Sequence, residues 1–330
     1  SAYDNLNKVA KQATEIAVIV FDGTYYSYPL QVCNDTRAEF SPAAAFDSIG
    51  RLVAVWERVK DEAFTGAGLE ELMPQMEIVT ATLDLNTYAW TTPVPLTDND
   101  YADFSPLLRR SPDGGLFLTW QSNVSNELAG SVGSPSILHS ARWNASLGEF
   151  EAVTNAAAEL ADVVGLDVAF DGSEALAVYA RDLDGDFETV GDVELFQMRE
   201  SGGVWSAPSQ LTDNGLPDLN PRVACRATGA LELAWLQGTN MVRLADWNTG
   251  AAESIRTAGG GFTLADFRLA CDGLGRLVVI WQNHDREGPD LFYSVFDPIH
   301  HVWSEDLRLT RDDLLEKSAT GALAEDGTLN

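Results

Sequence analysis

Short apolar runs recur along the chain, and nowhere do they settle into the 3.6-residue period of a helix. Gly50-Arg-Leu-Val-Ala-Val-Trp56, Gly114-Gly-Leu-Phe-Leu-Thr-Trp120, Gly229-Ala-Leu-Glu-Leu-Ala-Trp235 and Gly275-Arg-Leu-Val-Val-Ile-Trp281 are copies of one strand that closes on an aromatic. Ser173 to Tyr179 is a degenerate copy. Another apolar run precedes each copy, as in Ser41-Pro-Ala-Ala-Ala-Phe-Asp47 and Asn220-Pro-Arg-Val-Ala-Cys225. The turn residues between them (Asp47-Ser-Ile-Gly50, Pro112-Asp-Gly-Gly115, Asp272-Gly-Leu-Gly275) predict a hairpin. A polar loop and a third strand follow, as in Met76–Thr82, Glu194–Met198 and Leu291–Phe296. The fourth strand opens on an aromatic and closes on Leu-Thr, as in Trp90–Thr97, Trp205–Thr212 and Trp303–Thr310.

Four antiparallel strands per repeat, with repeats of roughly 40–65 residues, predict an all-β chain of β-propeller blades. Joining Gly327-Thr-Leu-Asn330 to Ser1-Ala-Tyr3-Asp-Asn5 completes one further copy. The aromatic column then runs through Tyr3, Trp56, Trp120, Tyr179, Trp235 and Trp281, and the expectation is a six-bladed ring. In this reading residues 1–330 form a single domain. One blade is shared by 1–32 and 318–330, and the others cover approximately 41–97, 105–154, 164–212, 220–257 and 266–310. Sharing a blade between the termini protects a circular sheet from opening at an edge. A column repeated in every apolar strand reads as core between blades rather than as a sugar-stacking platform.

The Gly-x-Leu-x-Val-x-Trp strand followed by Trp-Ser-x-x-x-x-Leu-Thr resembles the repeats of sialidase-like, BNR-type six-bladed propellers of bacterial secreted and surface proteins. Ser111-Pro-Asp-Gly-Gly115 partly resembles the Asp-box turn of that family, with the aromatic displaced. The resemblance implies a bacterial protein at the cell surface or outside it. It also implies an arginine cluster and a Tyr–Glu pair where such enzymes act. Here no third Arg and no such pair is found, so the resemblance does not extend to sialidase catalysis.

Composition narrows the partners. Fifty Asp+Glu against 21 Lys+Arg give a net charge of −29, which argues against nucleic acid and against an anionic membrane face. A hydrophobic content of 45% is too high for a disordered acidic chain. The apolar runs fall short of a membrane span. Three cysteines and four histidines form no metal or disulfide pattern. The expected state is a monomeric domain that also fits within a larger chain.

Two constellations carry chemistry. Asp182, Asp184, Asp186, Glu188 and Asp192 alternate within one loop, which suits the oxygen-only coordination of Ca²⁺, although Phe187 stands where an EF-hand has its turn glycine. Arg222 and Arg268 occupy equivalent places at the loop end of innermost strands, and Asp218 and Asp103 belong to the acidic loops between blades. Two guanidiniums there could clamp a carboxylate at the channel mouth. The favoured reading is a non-enzymatic binding module that presents an acidic loop face to a protein or glycan, with a calcium-ordered loop. The alternative is a carbohydrate-active enzyme, a glycoside hydrolase or lyase, with a carboxylate/arginine site at the channel mouth. That alternative requires two carboxyl groups about 5–10 Å apart in one pocket.

Overall fold

The computed structural model describes residues 14–64, 66, 68–151, 154–226, 229–238, 240–246, 251–257, 264–271, 276–284, 289–297, 299, 300 and 302–310. Tyr3 and the predicted closing segment 318–330 lie outside the described residues. The chain divides into two compact units, Ser1–Ala161 and Asp162–Asn330. Among the described residues the sole α-helix is α1 (Leu69–Leu72), and strands dominate both units.

The first unit opens with a two-stranded antiparallel ribbon, β1 (Ala17–Val18) with β2 (Leu30–Gln31). Its first sheet orders β3 (Glu39–Phe46), β4 (Leu52–Val59), β5 (Met76–Asp84) and β6 (Ala89–Trp90), and β7 (Val94–Pro95) also pairs with β5. The outer strand is broken in two between Trp90 and Val94, as it is between Trp303 and Leu307 in the last sheet. The second sheet orders β8 (Ala102–Arg110), β9 (Leu116–Asn123), β10 (Ser136–Asn144) and β11 (Glu149–Phe150), with β12 (Thr154–Leu160) on β10.

The second unit repeats the pattern. Its sheets run β13 (Val163–Phe170), β14 (Glu174–Asp182), β15 (Val193–Ser201), β16 (Val204–Trp205), with β17 (Ser209–Gln210) on β15. Then come β18 (Asp218–Cys225), β19 (Leu231–Gln237), β20 (Asn240–Asp246) and β21 (Ala251–Thr257). The last sheet has β22 (Leu264–Cys271), β23 (Leu277–His284), β24 (Pro289–Asp297) and β25 (Val302–Trp303), with β26 (Leu307–Arg308) on β24. All pairings are antiparallel, as the hairpin turns and the short apolar repeats dictate.

Within each unit, consecutive sheets share their cores. Val53 and Val55 of β4 pack with Leu116, Leu118 and Trp120 of β9. Val178 of β14 packs with Leu233 and Trp235 of β19, and Ala234 and Leu236 with Val279 and Trp281. The aromatic column is core, as expected: Trp56, Trp120, Tyr179, Trp235 and Trp281 are at most 3% exposed. Truncating any of these to alanine would cost about 3–5 kcal/mol. Arg51 ties the two sheets of the first unit together. It pairs with Asp47 at 2.7 Å and donates to Ala145 O, while the Trp143 indole donates to the same Asp47.

The innermost strands share a defect. Register slips between Phe40 and Ala43, Phe104 and Leu107, and Leu219 and Arg222. At each slip a non-glycine residue has positive φ: Ser41 (48°), Ser105 (54°) and Asn220 (50°). Each precedes a proline (Pro42, Pro106, Pro221). Such bulges re-aim side chains at the strand end, and a residue held there stores about 1–3 kcal/mol of strain.

Candidate functional site

At the start of the innermost strands a carboxylate accepts from the indole seventeen positions later. Trp56 Nε1 donates to Glu39 (3.0 Å), Trp120 to Asp103 (2.9 Å) and Trp235 to Asp218 (2.7 Å). All three carboxylates are buried, from 0 to 4% exposed. In the third sheet the aromatic is Tyr179, which has no indole N–H, and the equivalent acid Asp162 faces Arg181 at 3.7 Å instead.

A second carboxylate stands at the start of the third strands β5 and β15, and in each case an asparagine joins it to the acid of the following sheet. Asn99 donates its N–H to Glu77 (2.8 Å) and its side-chain amide to Asp103 (2.6 Å). Asn214 does the same to Glu194 (2.9 Å) and Asp218 (2.6 Å). Burial pushes Asp103 up to about 6, with the charge of Glu77 adding to it and the Asn99 and Trp120 hydrogen bonds opposing it. Glu77 is raised by burial against the pull of Thr97, Asn99 and Lys60, and Glu194 by burial and by Asp218. The copy around Glu39 replaces the threonine with Cys33, whose thiol donates to Glu39 at 2.7 Å and is pushed up to about 12, mostly by burial. Glu57, at the bulges of β3 and β8, accepts from Ser105 N–H at 2.7 Å and is raised by burial.

A lattice that repeats from sheet to sheet is architecture, so chemistry is sought where a copy departs from the others. The first sheet departs most. Beside it lies a cavity of about 300 Å³ lined by Arg37, Arg58, Lys60, Glu77, Thr97 and Asp98, among others. Position 60 in the third sheet's copy is Leu183. Lys60 Nζ lies 3.6 Å from Glu77 Oε1, 3.7 Å from Asp98 Oδ1 and 3.6 Å from Asp100 Oδ1, and it donates to Asn99 O. Arg58 pairs with Asp35 and stands 3.6 Å from Glu39. Arg37 is 3.6 Å from Asp35 and 3.9 Å from Glu62. Of the three carboxyls on Lys60, Glu77 and Asp98 therefore have oxygens no more than about 7.3 Å apart, which does not exceed the range of paired glycosidase carboxyls.

The predicted site residues fall elsewhere. Arg222 Nε and Arg268 Nη1 both donate to Phe267 O at 3.0 Å, so the structure does bring the two guanidiniums together. Asp218 and Asp103 each lie buried in their own sheet beneath an indole, not on an open acidic face. In the predicted metal loop, carboxylate oxygens of Asp182, Asp184 and Asp192 come within 4.8 Å of one another. Asp186 and Glu188 are not in that group: Asp186 caps the backbone, accepting from Glu188 N–H. Glu15, Cys33 and Glu39 are likewise close enough to hold a metal. There, however, Glu39 already accepts from Trp56, Cys33 and Ile16 and faces Arg58.

Sequence reading passed over Lys60, Glu77 and Glu57. The available signal was the repeated Thr-Asp-Asn with Asp four positions after the Asn (Thr97–Asp103, Thr212–Asp218), which marks those acids as internal. Aligning the first and third sheets then matches Arg58 with Arg181 and leaves Lys60, against Leu183, as the departure.

No family model matches the chain, and no curated protein matches it. Among solved structures, an α-L-arabinofuranosidase from Fusarium graminearum with an iminosugar inhibitor is similar with a TM-score of 0.54. It is 12% identical, and the match covers 94% of this chain and 89% of that one. A protein of unknown function from Dyadobacter fermentans is similar with a TM-score of 0.53 at 14% identity over 84% of each chain. These are likenesses of fold. They overturn the expectation of a non-enzymatic binding module, because the scaffold shared along nearly the whole chain is one that carries an arabinofuranosidase. Four histidines and the lack of a nucleophile motif do not count against catalysis. Glycosidic cleavage runs on two carboxyls and needs neither. Among the described residues no helix is long and apolar enough to cross a membrane.

Proposed function

We propose that the chain is a carbohydrate-active enzyme that cleaves a glycosidic bond in the cavity beside the first sheet. The observation that carries this reading is the Glu77–Lys60–Asp98 arrangement. A buried carboxyl raised by desolvation and a carboxyl standing in solvent share one ammonium within that cavity. Pairs of acids whose surroundings separate their proton affinities are what glycoside cleavage divides into acid and base. Glu77 gives its proton to the departing glycosidic oxygen. Asp98 takes a proton from the attacking water, whose oxygen forms the new bond to the anomeric carbon as the old one breaks. Arg37, Arg58, Thr97 and Asp98 set donors beside acceptors around the space, which suits a polyhydroxylated ring. Because each cation is paired with an acid, the cavity is not a cationic trap, and a neutral glycan fits better than an anionic one.

The fold shared with the Fusarium arabinofuranosidase supports a glycan as partner and an extracellular place of action. A six-bladed ring closed between 318–330 and 1–32, in a monomeric chain, belongs to the same proposal. The test is reducing-end release from a panel of neutral and acidic polysaccharides, arabinan included. Glu77→Gln is expected to lower kcat by about 10²–10⁴-fold with an unchanged fold by circular dichroism. No release from any member of the panel, or full activity in Glu77→Gln, would sink the proposal.

A further inference from the structure

The loop between β14 and β15 brings three carboxylates to one point, and nothing in the cleavage chemistry uses them. Asp182 closes β14 and is fully buried, at 0% exposure. Its Oδ1 accepts from Gly185 N–H at 2.7 Å, while Oδ2 is buried without a hydrogen-bond partner. Asp184 and Asp192 converge on it, with one oxygen of each residue within 4.8 Å of the others. Arg181, one residue back along the strand, projects from the opposite face and serves Asp162. The cluster thus gathers three negative groups and leaves its most buried oxygen with no donor.

A buried acceptor without a donor costs about 1–3 kcal/mol, and like charges at this range add to it. Native chains rarely keep such a group without an explanation. We infer that Asp182, Asp184 and Asp192 bind a hard divalent cation, with Asp182 Oδ2 as its innermost ligand. The donor set is oxygen only, which selects the Ca²⁺, Mg²⁺ and Mn²⁺ class over zinc or copper. Ca²⁺ suits it best, because a loop of ten residues can shape an irregular shell more readily than the strict octahedron of Mg²⁺. The bound ion would tie the end of β14 to the start of β15.

The test uses the full chain, stripped with EDTA and titrated with CaCl₂ by calorimetry and by thermal melting. One tight site is expected, with a melting temperature raised by roughly 3–8 °C at a hundredfold excess over Kd. Asp184→Asn/Asp192→Asn should lose that site, while Asp98→Asn/Asp100→Asn, which removes exposed acids of the first unit, should keep it. Asp182→Asn supplies a change of sign. Without metal it removes a buried charge and should raise the melting temperature, and with saturating Ca²⁺ it should lower it relative to the parent. The same number of tight sites in parent and double variant, or Asp182→Asn shifting the melt equally with and without Ca²⁺, would overturn the assignment. Neither readout depends on glycan cleavage.

Discussion

Asp103 shows how one buried side chain couples folding to pH. Its folded-state value of about 6 exceeds its ordinary 3.8, chiefly because burial disfavours the charge. Between those values the folded chain holds a proton that the unfolded chain releases. The stabilisation from this group is therefore complete below about pH 4 and is lost as pH rises through about 6. A shift of this size corresponds to about 2–3 kcal/mol. Asp103→Asn should flatten that part of the profile, as measured by urea unfolding at several pH values across the window. Glu57 is raised for the same reason and accepts from Ser105 N–H. Glu57→Gln keeps an acceptor and removes the buried charge, so a gain of about 1 kcal/mol at neutral pH is expected from the same measurement. Equal stability of parent and variant across the range would refute either account.

At the level of the strand, most of the architecture was legible in the chain. The copies ending in Trp56, Trp120, Tyr179, Trp235 and Trp281 fall on β4, β9, β14, β19 and β23, and the turn at Pro112–Gly115 joins β8 to β9. Period-2 alternation and turn residues are local signals, so they survive without knowledge of neighbours. The bulges were not legible, because a residue with positive φ before proline runs against backbone preference and is imposed by tertiary contacts such as Ser105 N–H on Glu57. The prediction is directional. Ser105→Val should cost about 1–2 kcal/mol, because a branched side chain tolerates φ near 54° poorly, while Ser105→Gly should be neutral or stabilising. Chemical denaturation distinguishes these outcomes, and equal losses for both would show that the strain is not there.

Across the molecule, charge is the dominant long-range quantity. A net −29 repels itself in the compact state, so raising salt from about 10 to 200 mM should raise the melting temperature by a few degrees. A fall with salt would mean that ion pairs such as Lys60–Glu77 outweigh the repulsion. Much of the site was hidden at this same scale. Fifty acids look alike in sequence, and only burial separates Asp103 and Asp218 from solvated loop carboxylates such as Asp98 and Asp100. The duplicated lattice also gives the protein an internal control. Asn214 bridges Glu194 and Asp218 as Asn99 bridges Glu77 and Asp103, with Leu183 where the first sheet has Lys60. Whatever Glu194→Gln does to the protein measures the cost of disturbing the framework alone. Subtracting it from the effect of Glu77→Gln leaves the share that belongs to chemistry, within a single chain and without a reference protein.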